Sequence, residues 1–276
     1  MTIDLIYATW PNRSYGIGWH KMAGALRDAG LTQKLIDDGH EVKEHVVSAE
    51  GEGAGELKAA FKLGGKIGRL VKASHKAGAL AVIVCGSCSV AALGAVAGLG
   101  GENTGVLWMD AHADLNTPET TPSGLFDGMA AAIILGDAWQ SMALDIAGLT
   151  PISQRYLCLY GARDLDPSEQ GFIDDEAIAL ADNAEDAISA LDGCEQLYIH
   201  LDMDVHNAAK LAVNRFAVKG GPSPQTVRRD LAAVAAALPV AAMAVTGIEL
   251  GLGAKGKATT CAIEHIKTAC AARKSM

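Results

Sequence analysis

Short apolar runs alternate with amphipathic stretches along the whole chain. Eight runs predict β-strands, and they cover residues 3–9, 41–47, 80–85, 105–111, 155–162, 178–181, 196–204 and 241–250. Stretches with helical periodicity lie between them, for example residues 55–78 and 223–238. Alternating strands and helices are typical of a parallel sheet covered by helices on both faces. We therefore predict an α/β fold with a mostly parallel eight-stranded sheet, built as a single domain over residues 1–276.

Composition and charge narrow the class of protein. The 276 residues include 23 Lys and Arg against 32 Asp and Glu, a formal net charge of −9. Such an acidic chain is not expected to bind nucleic acid or an anionic membrane surface. The N-terminus does not read as a signal peptide, and six cysteines are too few for a disulfide framework in a chain of this length. We expect a cytoplasmic protein with reduced thiols.

Acidic residues and one histidine follow two of the predicted strands. Asp110, His112 and Asp114 end the fourth strand, and Asp202 and Asp204 end the seventh. The carboxyl ends of parallel strands form the usual ligand crevice of such sheets. A lone D-x-D motif more often caps a helix, but four converging carboxylates repel one another unless cations lie between them. Oxygen-rich ligation with one imidazole suits manganese or a related cation, so the two motifs together predict a two-metal site.

Two cysteines, Cys85 and Cys88, lie where the third predicted strand meets a small-residue helix, in the stretch VIVCGSCSVAAL (82–93). A disulfide, half of a zinc site, a thioredoxin-like redox pair, a metal ligand and a buried thiol are all compatible with a C-x-x-C motif at this junction. The motif alone does not choose among them.

The segments DAHADLNTPETTPSG (110–124) and HLDMD (200–204) resemble the arginase/agmatinase (ureohydrolase) family, and the resemblance covers about residues 80–250. It implies a three-layer α/β/α fold, two Mn²⁺ ions per chain and metal-assisted hydrolysis of a guanidine or amidine C–N bond. The implied ligands are Asp110, His112, Asp114, Asp202 and Asp204. Cys88 takes the position of the family's usual sixth ligand, a histidine, and Cys85 is then expected to pack as a small hydrophobic residue.

The resemblance also implies roles for polar residues outside the ligand set. Glu249 matches the guanidinium-binding glutamate, and Asn116, Ser123 and Asp166 match residues that bind the amino-acid end of the substrate. Asp127 stands where the family has a proton-shuttle histidine, and an aspartate of ordinary pKa is a poor acid at neutral pH. The expected partner is therefore a small guanidino or hydroxyguanidino amino acid.

A thiolate ligand lowers the Lewis acidity of its metal, so this ligand set favours a less basic substrate than arginine. The Cys-ligand branch of the family is associated with Nω-hydroxy-L-arginine hydrolysis, which releases hydroxyurea and L-ornithine in antibiotic biosynthesis, and we expect that substrate. Arginine or another guanidine, a catalytically impaired metal-binding paralogue and a redox protein are the alternatives.

Several further residues carry weaker expectations. His200 shares a face with Asp202 and is predicted to hydrogen-bond a ligand, and His206 is predicted to lie at the pocket rim as a proton carrier. The other histidines, His265 among them, are interpreted as ordinary surface or helix residues. Arg13 and Tyr15 belong to a segment expected to close over the pocket. We expect a monomer, since the chain ends one helix after the predicted site.

Overall fold

The computed structural model of the chain describes residues 1–10, 18–49, 55–252 and 256–274. Its centre is one sheet of eight strands: β1 (Thr2–Thr9), β2 (Glu41–Ser48), β3 (Leu80–Cys85), β4 (Thr104–Met109), β5 (Leu157–Tyr160), β6 (Ala179–Ala181), β7 (Gln196–Asp202) and β8 (Val240–Thr246). Their order is β2-β1-β3-β8-β7-β4-β5-β6. Every pairing is parallel, so the predicted sheet is confirmed and is parallel throughout rather than mostly parallel.

Strands β4 and β7 each end two residues earlier than the apolar pattern predicts. The carboxylate of Asp110 accepts a hydrogen bond from the backbone N–H of His112 at 2.8 Å, and that of Asp202 accepts one from the N–H of Asp204 at 2.8 Å. Such side-chain turns compete with the ladder of the sheet and end a strand. The chemistry expected at the strand ends therefore lies in the turns that follow them.

Helices cover both faces of the sheet, which gives three layers. The described residues form α1 (Met22–Asp28), α2 (Leu31–Asp37), α3 (Glu56–Lys76), α4 (Cys88–Leu99), α5 (Ala130–Leu135), α6 (Gln140–Met142), α7 (Pro167–Asp175), α8 (Ala184–Ala190), α9 (Pro224–Ala237) and α10 (Lys257–Ala272). One apolar cluster joins the sheet to α3, α4 and α5, and a second joins it to α1, α2, α9 and α10. None of these helices combines the length and apolar character needed to cross a bilayer.

Glycines allow α3 and α4 to pack closely. A Cβ atom on Gly94 would lie 2.6 Å from Cβ of Ile67, and one on Gly98 would lie 2.5 Å from Cβ of Val71. Larger residues at these positions would push the helices apart, because protein interiors are close-packed. The contact fixes α4 against the sheet, and with it Cys88 in its first turn.

The four central strands, in the order β3-β8-β7-β4, bring distant parts of the sequence together at the carboxyl ends of the strands. The ends of three of them, β3, β7 and β4, and the residues that follow contain the predicted metal ligands. A polar loop, residues 113–127, lies beside them and contains neither helix nor strand before the short 3-10 turn Asp127–Met129. This end of the strands is where parallel α/β sheets bind their ligands.

Candidate metal centre and active site

The six predicted metal ligands line one cavity of about 260 Å³ at the carboxyl ends of the central strands. We call them the ligand floor: Cys88, Asp110, His112, Asp114, Asp202 and Asp204. Ligand-type atoms of Asp110, His112 and Asp204 all lie within 4.8 Å of one another, and so do those of Cys88, Asp110 and His200. The structure thus brings together residues from three separate strand ends, as predicted from the motifs.

Cys88 is the first residue of α4, and its thiol faces the floor. Its Sγ lies 3.2 Å from Oδ2 of Asp202 and 3.4 Å from Oγ1 of Thr246. A helix N-terminus favours a thiolate. Burial, and then the charge of Asp202, nevertheless raise the pKa of the Cys88 thiol well above its ordinary value. A thiolate at this position therefore requires a cation beside it.

Asp202 is held in a space that only a glycine leaves open. Gly247, directly after β8, has a left-handed backbone with φ of 79°, and a Cβ atom there would lie 1.9 Å from Oδ1 of Asp202. Thr246 donates a hydrogen bond to the other carboxylate oxygen, Oδ2, at 3.0 Å. The end of β8 therefore shapes the floor although it contributes no predicted ligand.

Asp204 is fixed from two sides. Its Oδ1 accepts from the backbone N–H of Ala111 at 3.3 Å, and its Oδ2 accepts from the Asn214 side-chain amide at 3.0 Å. The same amide group donates to the carbonyl of Gly247 at 2.9 Å. Asn214 thereby links the turn after β7 to the turn after β8.

Arg163 holds the backbone around Asp204 without an acidic partner in the described residues. Its guanidinium donates to six carbonyl oxygens, those of Gly161, Asp204, Val205, His206, Val218 and Lys219, at 2.7–3.2 Å. An arginine presents its donors in a rigid planar fork, which suits this arrangement of acceptors. Three chain segments that surround the floor are tied to a single side chain.

Asp110 and His112 contact each other within the floor. Nδ1 of His112 lies 3.3 Å from Oδ1 of Asp110 and 3.5 Å from Oδ2 of Asp204. Burial, and then the charge of Asp204, raise the pKa of Asp110 to about 7. Burial lowers the pKa of His112, but the hydrogen bond to Asp110 and the charge of Asp204 outweigh it and raise that pKa to about 10. The raised pKa values favour protonated forms of Asp110 and His112, and bound cations would compensate the negative charge of the floor instead.

Asp114 has a strained backbone. Its φ is 52°, in the left-handed region that non-glycine residues rarely adopt. The strain is compensated at the start of α5, because the carbonyl of Asp114 accepts from the N–H groups of Ala131 at 2.9 Å and Ala132 at 3.2 Å. Burial, and then the charge of Asp110, raise the pKa of Asp114 well above its ordinary value. Backbone strain of this kind is concentrated at functional sites.

The floor fits a pair of divalent cations. Buried carboxylates at hydrogen-bonding distance from a thiol and an imidazole disfavour ionisation, as the raised pKa values of Asp110, Asp114 and Asp202 show. A donor set of four carboxylates, one imidazole and one thiol suits Mn²⁺ or a neighbouring divalent metal. Cations would replace the protons and let the donors ionise.

A second group of predicted residues, which we call the loop rim, lines the same cavity: Asn116, Ser123, Asp127 and Asp166. The Asn116 amide donates to Oδ2 of Asp166 at 2.8 Å. Its oxygen accepts from the hydroxyl of Ser168 at 3.1 Å. Ser123 is exposed, and its hydroxyl accepts from the backbone N–H of Leu125 at 3.2 Å. The structure pairs Asn116 with Asp166 and places Ser123 in a turn at the cavity mouth.

Asp127 contacts the start of the helix that carries the thiol. Its Oδ1 accepts from the hydroxyl of Ser87 and from the backbone N–H of Ser89 at 3.1 Å. A carboxylate at this place also interacts favourably with the helix dipole. Asp127 thus has a visible part in positioning Cys88, and its role as a catalytic group stays a prediction.

Glu249 does not line the cavity among the residues that the structure describes. Its carboxylate is 4% exposed and forms a two-pronged ion pair with Arg215, whose Nε lies 3.1 Å and 3.0 Å from the two carboxylate oxygens and whose Nη2 contacts Oε1. The backbone N–H of Arg215 donates to Oε2 at 3.3 Å. The predicted guanidinium-binding carboxylate therefore already holds a guanidinium of this chain.

His200 is completely buried and reaches the floor through Thr246. Nε2 of His200 lies 3.3 Å from Oγ1 of Thr246, which contacts both Asp202 and Cys88. The ring stacks on Trp108 with centroids 3.7 Å apart, and burial lowers its pKa to about 3. His200 was predicted to hydrogen-bond a metal ligand directly. It instead contacts Thr246, whose hydroxyl contacts the predicted ligands Asp202 and Cys88.

The expectation for His206 is wrong, whereas His265 is a helix residue as expected. His206 is predicted at the pocket rim, but it is fully buried and its Nε2 lies 2.9 Å from Nε2 of His265. His265 lies on α10, as a helix residue, but its side chain is also fully buried rather than at the surface. The two rings lie nearly parallel between the turn after β7 and α10, with centroids 5.1 Å apart. Arg13 and Tyr15 lie outside the described residues.

The redox interpretation of the C-x-x-C motif finds no support in the environment of Cys85. All six cysteines are free thiols, and Cys85 is fully buried. Burial raises the pKa of the Cys85 thiol to about 12. Redox-active C-x-x-C pairs need an accessible thiol of lowered pKa. Cys85 packs in the core, as predicted.

Four residues at the site carry no recognisable motif: Arg163, Asn214, Arg215 and Thr246. Each acts through a contact with a residue far away in the sequence, such as Asn214 with Gly247. Proximity to a predicted strand end is the only sequence signal that could have suggested two of them, Arg163 and Thr246.

The sequence of the chain is similar to those of known arginases. A sequence model of the arginase family matches residues 14–270. Arginase-1 of Rattus norvegicus is 28% identical over 228 residues, which span 74% of this chain and 70% of that protein. Arginase of Bacillus subtilis is 32% identical over 136 residues, and the match covers 44% of this chain and 46% of that protein. The matched region thus spans less than half the length of the Bacillus subtilis arginase.

Solved structures show the same fold. The crystal structure of arginase from Bacillus subtilis superposes with a TM-score of 0.88 at 24% identity, covering 98% of each chain. Arginase from Bacillus caldovelox gives a TM-score of 0.85 at 22% identity, covering 100% of this chain and 99% of that one. The predicted arginase-like fold is thus confirmed. The chain belongs to the arginase family.

Proposed function

We propose that the protein hydrolyses a guanidine-type C–N bond of an amino acid, with Nω-hydroxy-L-arginine as its substrate. Water adds to the guanidine carbon, the C–N bond to the ornithine side chain breaks, and the leaving nitrogen takes up a proton, so that hydroxyurea and L-ornithine are released. The observation that carries the proposal is the ligand floor, where six donors from three strand ends line one cavity. Family membership supports the same reaction class.

The floor residues would hold two Mn²⁺ ions, with Cys88, Asp110, Asp114 and Asp202 near one ion and His112, Asp110, Asp202 and Asp204 near the other. When bound, such ions lower the pKa of water and stabilise developing negative charge. The cavity of about 260 Å³ lies near the lower end of the roughly 300–1,000 Å³ common for small-molecule pockets. It therefore suits a single amino acid.

The loop rim would bind the amino-acid end of the substrate. Asp166 offers a carboxylate to the α-ammonium group, and Asn116, already bonded to Asp166, offers amide groups beside it. Charge-assisted hydrogen bonds of this kind are shorter and stronger than neutral ones. They would orient the side chain of the substrate toward the floor.

The pair Arg215–Glu249 supports a weakly basic substrate. A cationic guanidinium from arginine would have to displace Arg215 from the carboxylate of Glu249, and it would meet a like charge on the way. An N-hydroxyguanidine is a weaker base and is more often neutral, so it needs no such displacement. Together with the thiol ligand, this ion pair favours hydroxyarginine over arginine.

The test compares kcat/KM of the manganese-loaded protein for the two substrates. Nω-Hydroxy-L-arginine is expected to be the better substrate, and a higher value for L-arginine would reject that assignment. Turnover of neither substrate by protein with two bound metal ions would favour the catalytically impaired paralogue.

The variant Arg215→Ala tests whether the ion pair with Glu249 contributes to the preference for hydroxyarginine over arginine. Removing the competing guanidinium is expected to raise the arginine-to-hydroxyarginine ratio of kcat/KM by about tenfold. Arg229→Ala is the matched control, because Arg229 is likewise an exposed arginine paired with a buried carboxylate, that of Asp230. An equal change of the ratio in both variants would contradict the role of Arg215.

A further inference from the structure

Two imidazoles and a thiol converge outside the ligand floor, between the turn after β7 and helix α10. Nε2 of His206 lies 2.9 Å from Nε2 of His265, and Sγ of Cys261 lies 3.4 Å from the same His265 atom. The three ligand-type atoms all lie within 4.8 Å of one another. Both histidines are fully buried, whereas Cys261 is partly exposed. None of the three is among the described residues that line the cavity above the floor.

The hydrogen bond on the far side of His206 fixes its tautomer. Nδ1 of His206 lies 2.7 Å from the carbonyl oxygen of Met203, and since a carbonyl only accepts, Nδ1 carries the proton. Nε2 of a neutral His206 therefore presents its lone pair to His265 and Cys261. A metal-ligating histidine usually has this arrangement, with its other ring nitrogen bonded to a carbonyl or carboxylate.

The sequence spacing of Cys261 and His265 also suits binding of one metal ion by both side chains. Cys261 and His265 are four residues apart on α10, so their side chains lie on one face of the helix. The third donor, His206, comes from a turn that is fixed by Arg163. A site needs donors that the fold already holds in place, and here a helix and a fixed turn provide them.

The distances fit a zinc ion after small shifts. With Zn–N of about 2.0–2.1 Å and Zn–S of about 2.3 Å, tetrahedral ligation needs N···N of about 3.3 Å and N···S of about 3.6 Å. The observed separations are 2.9 Å and 3.4 Å. The two nearly parallel rings, with centroids 5.1 Å apart, would have to part by a few tenths of an ångström and rotate so that both nitrogen lone pairs point at the ion.

We infer that His206, Cys261 and His265 form a second metal site, selective for Zn²⁺, with water as the fourth ligand on the partly exposed side of Cys261. Two nitrogen donors and one sulfur donor suit zinc, whereas the oxygen-rich floor suits manganese. The two sites would thus take different metals from a mixture. Bound zinc would tie α10 to the turn that carries Asp204.

Cobalt spectroscopy tests the site, because Co²⁺ replaces Zn²⁺ and a thiolate ligand gives it a near-ultraviolet charge-transfer band. The experiment uses the full chain with Cys88→Ser, so that the floor has no thiolate, and with Mn²⁺ present to fill the floor. Co²⁺ is expected to bind at one equivalent per chain with the band, and Zn²⁺ is expected to displace it.

Adding Cys261→Ser to that background is expected to abolish the band and to weaken Zn²⁺ binding by more than about 100-fold, since even an outer partner of a ligand contributes about 10–100-fold. Cys270→Ser is the matched control, as another cysteine of α10 outside the cluster. Absence of the band in the Cys88→Ser protein, or its persistence after Cys261→Ser, would overturn the inference. Neither result depends on the proposed hydrolysis, so the two proposals fail separately.

Discussion

The ligand floor and the loop rim face the same cavity but are positioned in different ways. Floor residues lie at strand ends or at the first turn of α4, and backbone groups fix them, as Ala111 fixes Asp204. Rim residues lie in the loop 113–127 and at the start of α7, and contacts of their own side chains fix them, as Asp166 fixes Asn116 and the N–H group of Ser89 fixes Asp127. The floor therefore depends mainly on the sheet, and two residues of the loop connect it to the rim: Asp114 is part of the floor, and Asp127 contacts the start of α4. Under the proposed function, the floor would determine the reaction and the rim would determine the substrate.

Gly247→Ala should have the largest effect, because it acts on the floor through the backbone. The new Cβ atom would lie 1.9 Å from Oδ1 of Asp202. We expect the affinity for Mn²⁺ and the activity to fall by more than about 100-fold, the upper end of the effect of disturbing a ligand's surroundings. A calorimetric metal titration and kcat/KM measure the two effects.

Gly39→Ala is the matched control for that substitution. Gly39 also has a left-handed backbone, with φ of 87°, but a Cβ atom there would meet no atom of the described residues within 4 Å apart from its chain neighbours. Both alanines should reduce the free energy of unfolding by about 1–2 kcal/mol through backbone strain. Equal loss of metal affinity in the two variants would contradict the specific clash with Asp202.

Asp166→Asn tests the rim and should have a smaller effect. The amide keeps the size of the side chain but loses the charge that would hold an α-ammonium group. Hydrogen bonds to charged groups contribute about 1.5–3 kcal/mol, so KM should rise by roughly 10- to 100-fold while kcat changes much less. Ser123→Ala, at the exposed mouth, should change KM by less than about threefold. A larger loss for Ser123→Ala than for Asp166→Asn would reverse our assignment of the rim.

The smallest effect concerns the pH dependence of stability. Without metal, the pKa of Asp110 is raised to about 7 and that of His112 to about 10. Both raised values stabilise the fold at low pH and lose that contribution as the pH rises through them. Mn²⁺ should therefore raise the melting temperature more at pH 8.5 than at pH 6, by a few degrees at about 2–4 °C per kcal/mol. Thermal unfolding with and without chelator measures it, and an equal gain at both pH values would contradict it.

Periodicity alone predicted all eight strands, because each is a short apolar run between polar turns. The motifs around Asp110 and Asp202 predicted the floor, since parallel strands necessarily bring their carboxyl ends together. Cys88 was assigned to the floor by the resemblance to the arginase family, because the C-x-x-C motif after β3 did not by itself choose among its possible roles. The strands and the two motifs depend on local sequence and on one topological rule.

Contacts between remote side chains could not be predicted in this way. The ion pair of Arg215 with Glu249 joins residues 34 positions apart, and the contact of His206 with His265 joins residues 59 positions apart. Both depend on the path of irregular segments and on how α10 packs, neither of which follows from hydrophobic periodicity. The prediction of His206 at the rim failed because a turn can aim a side chain to either side of the sheet.

The six carbonyl contacts of Arg163 have a consequence for protein engineering. Transplanting a loop from another enzyme between β7 and α9 would replace several of these acceptors at once. A graft that altered the number or direction of those oxygens would leave the guanidinium of Arg163 without hydrogen-bond acceptors, however well the new side chains suited a chosen substrate. Successful redesign of specificity should therefore keep that backbone path, keep Asp114 and Asp127, and vary the other cavity-lining residues of the loop 113–127, such as Asn116 and Ser123.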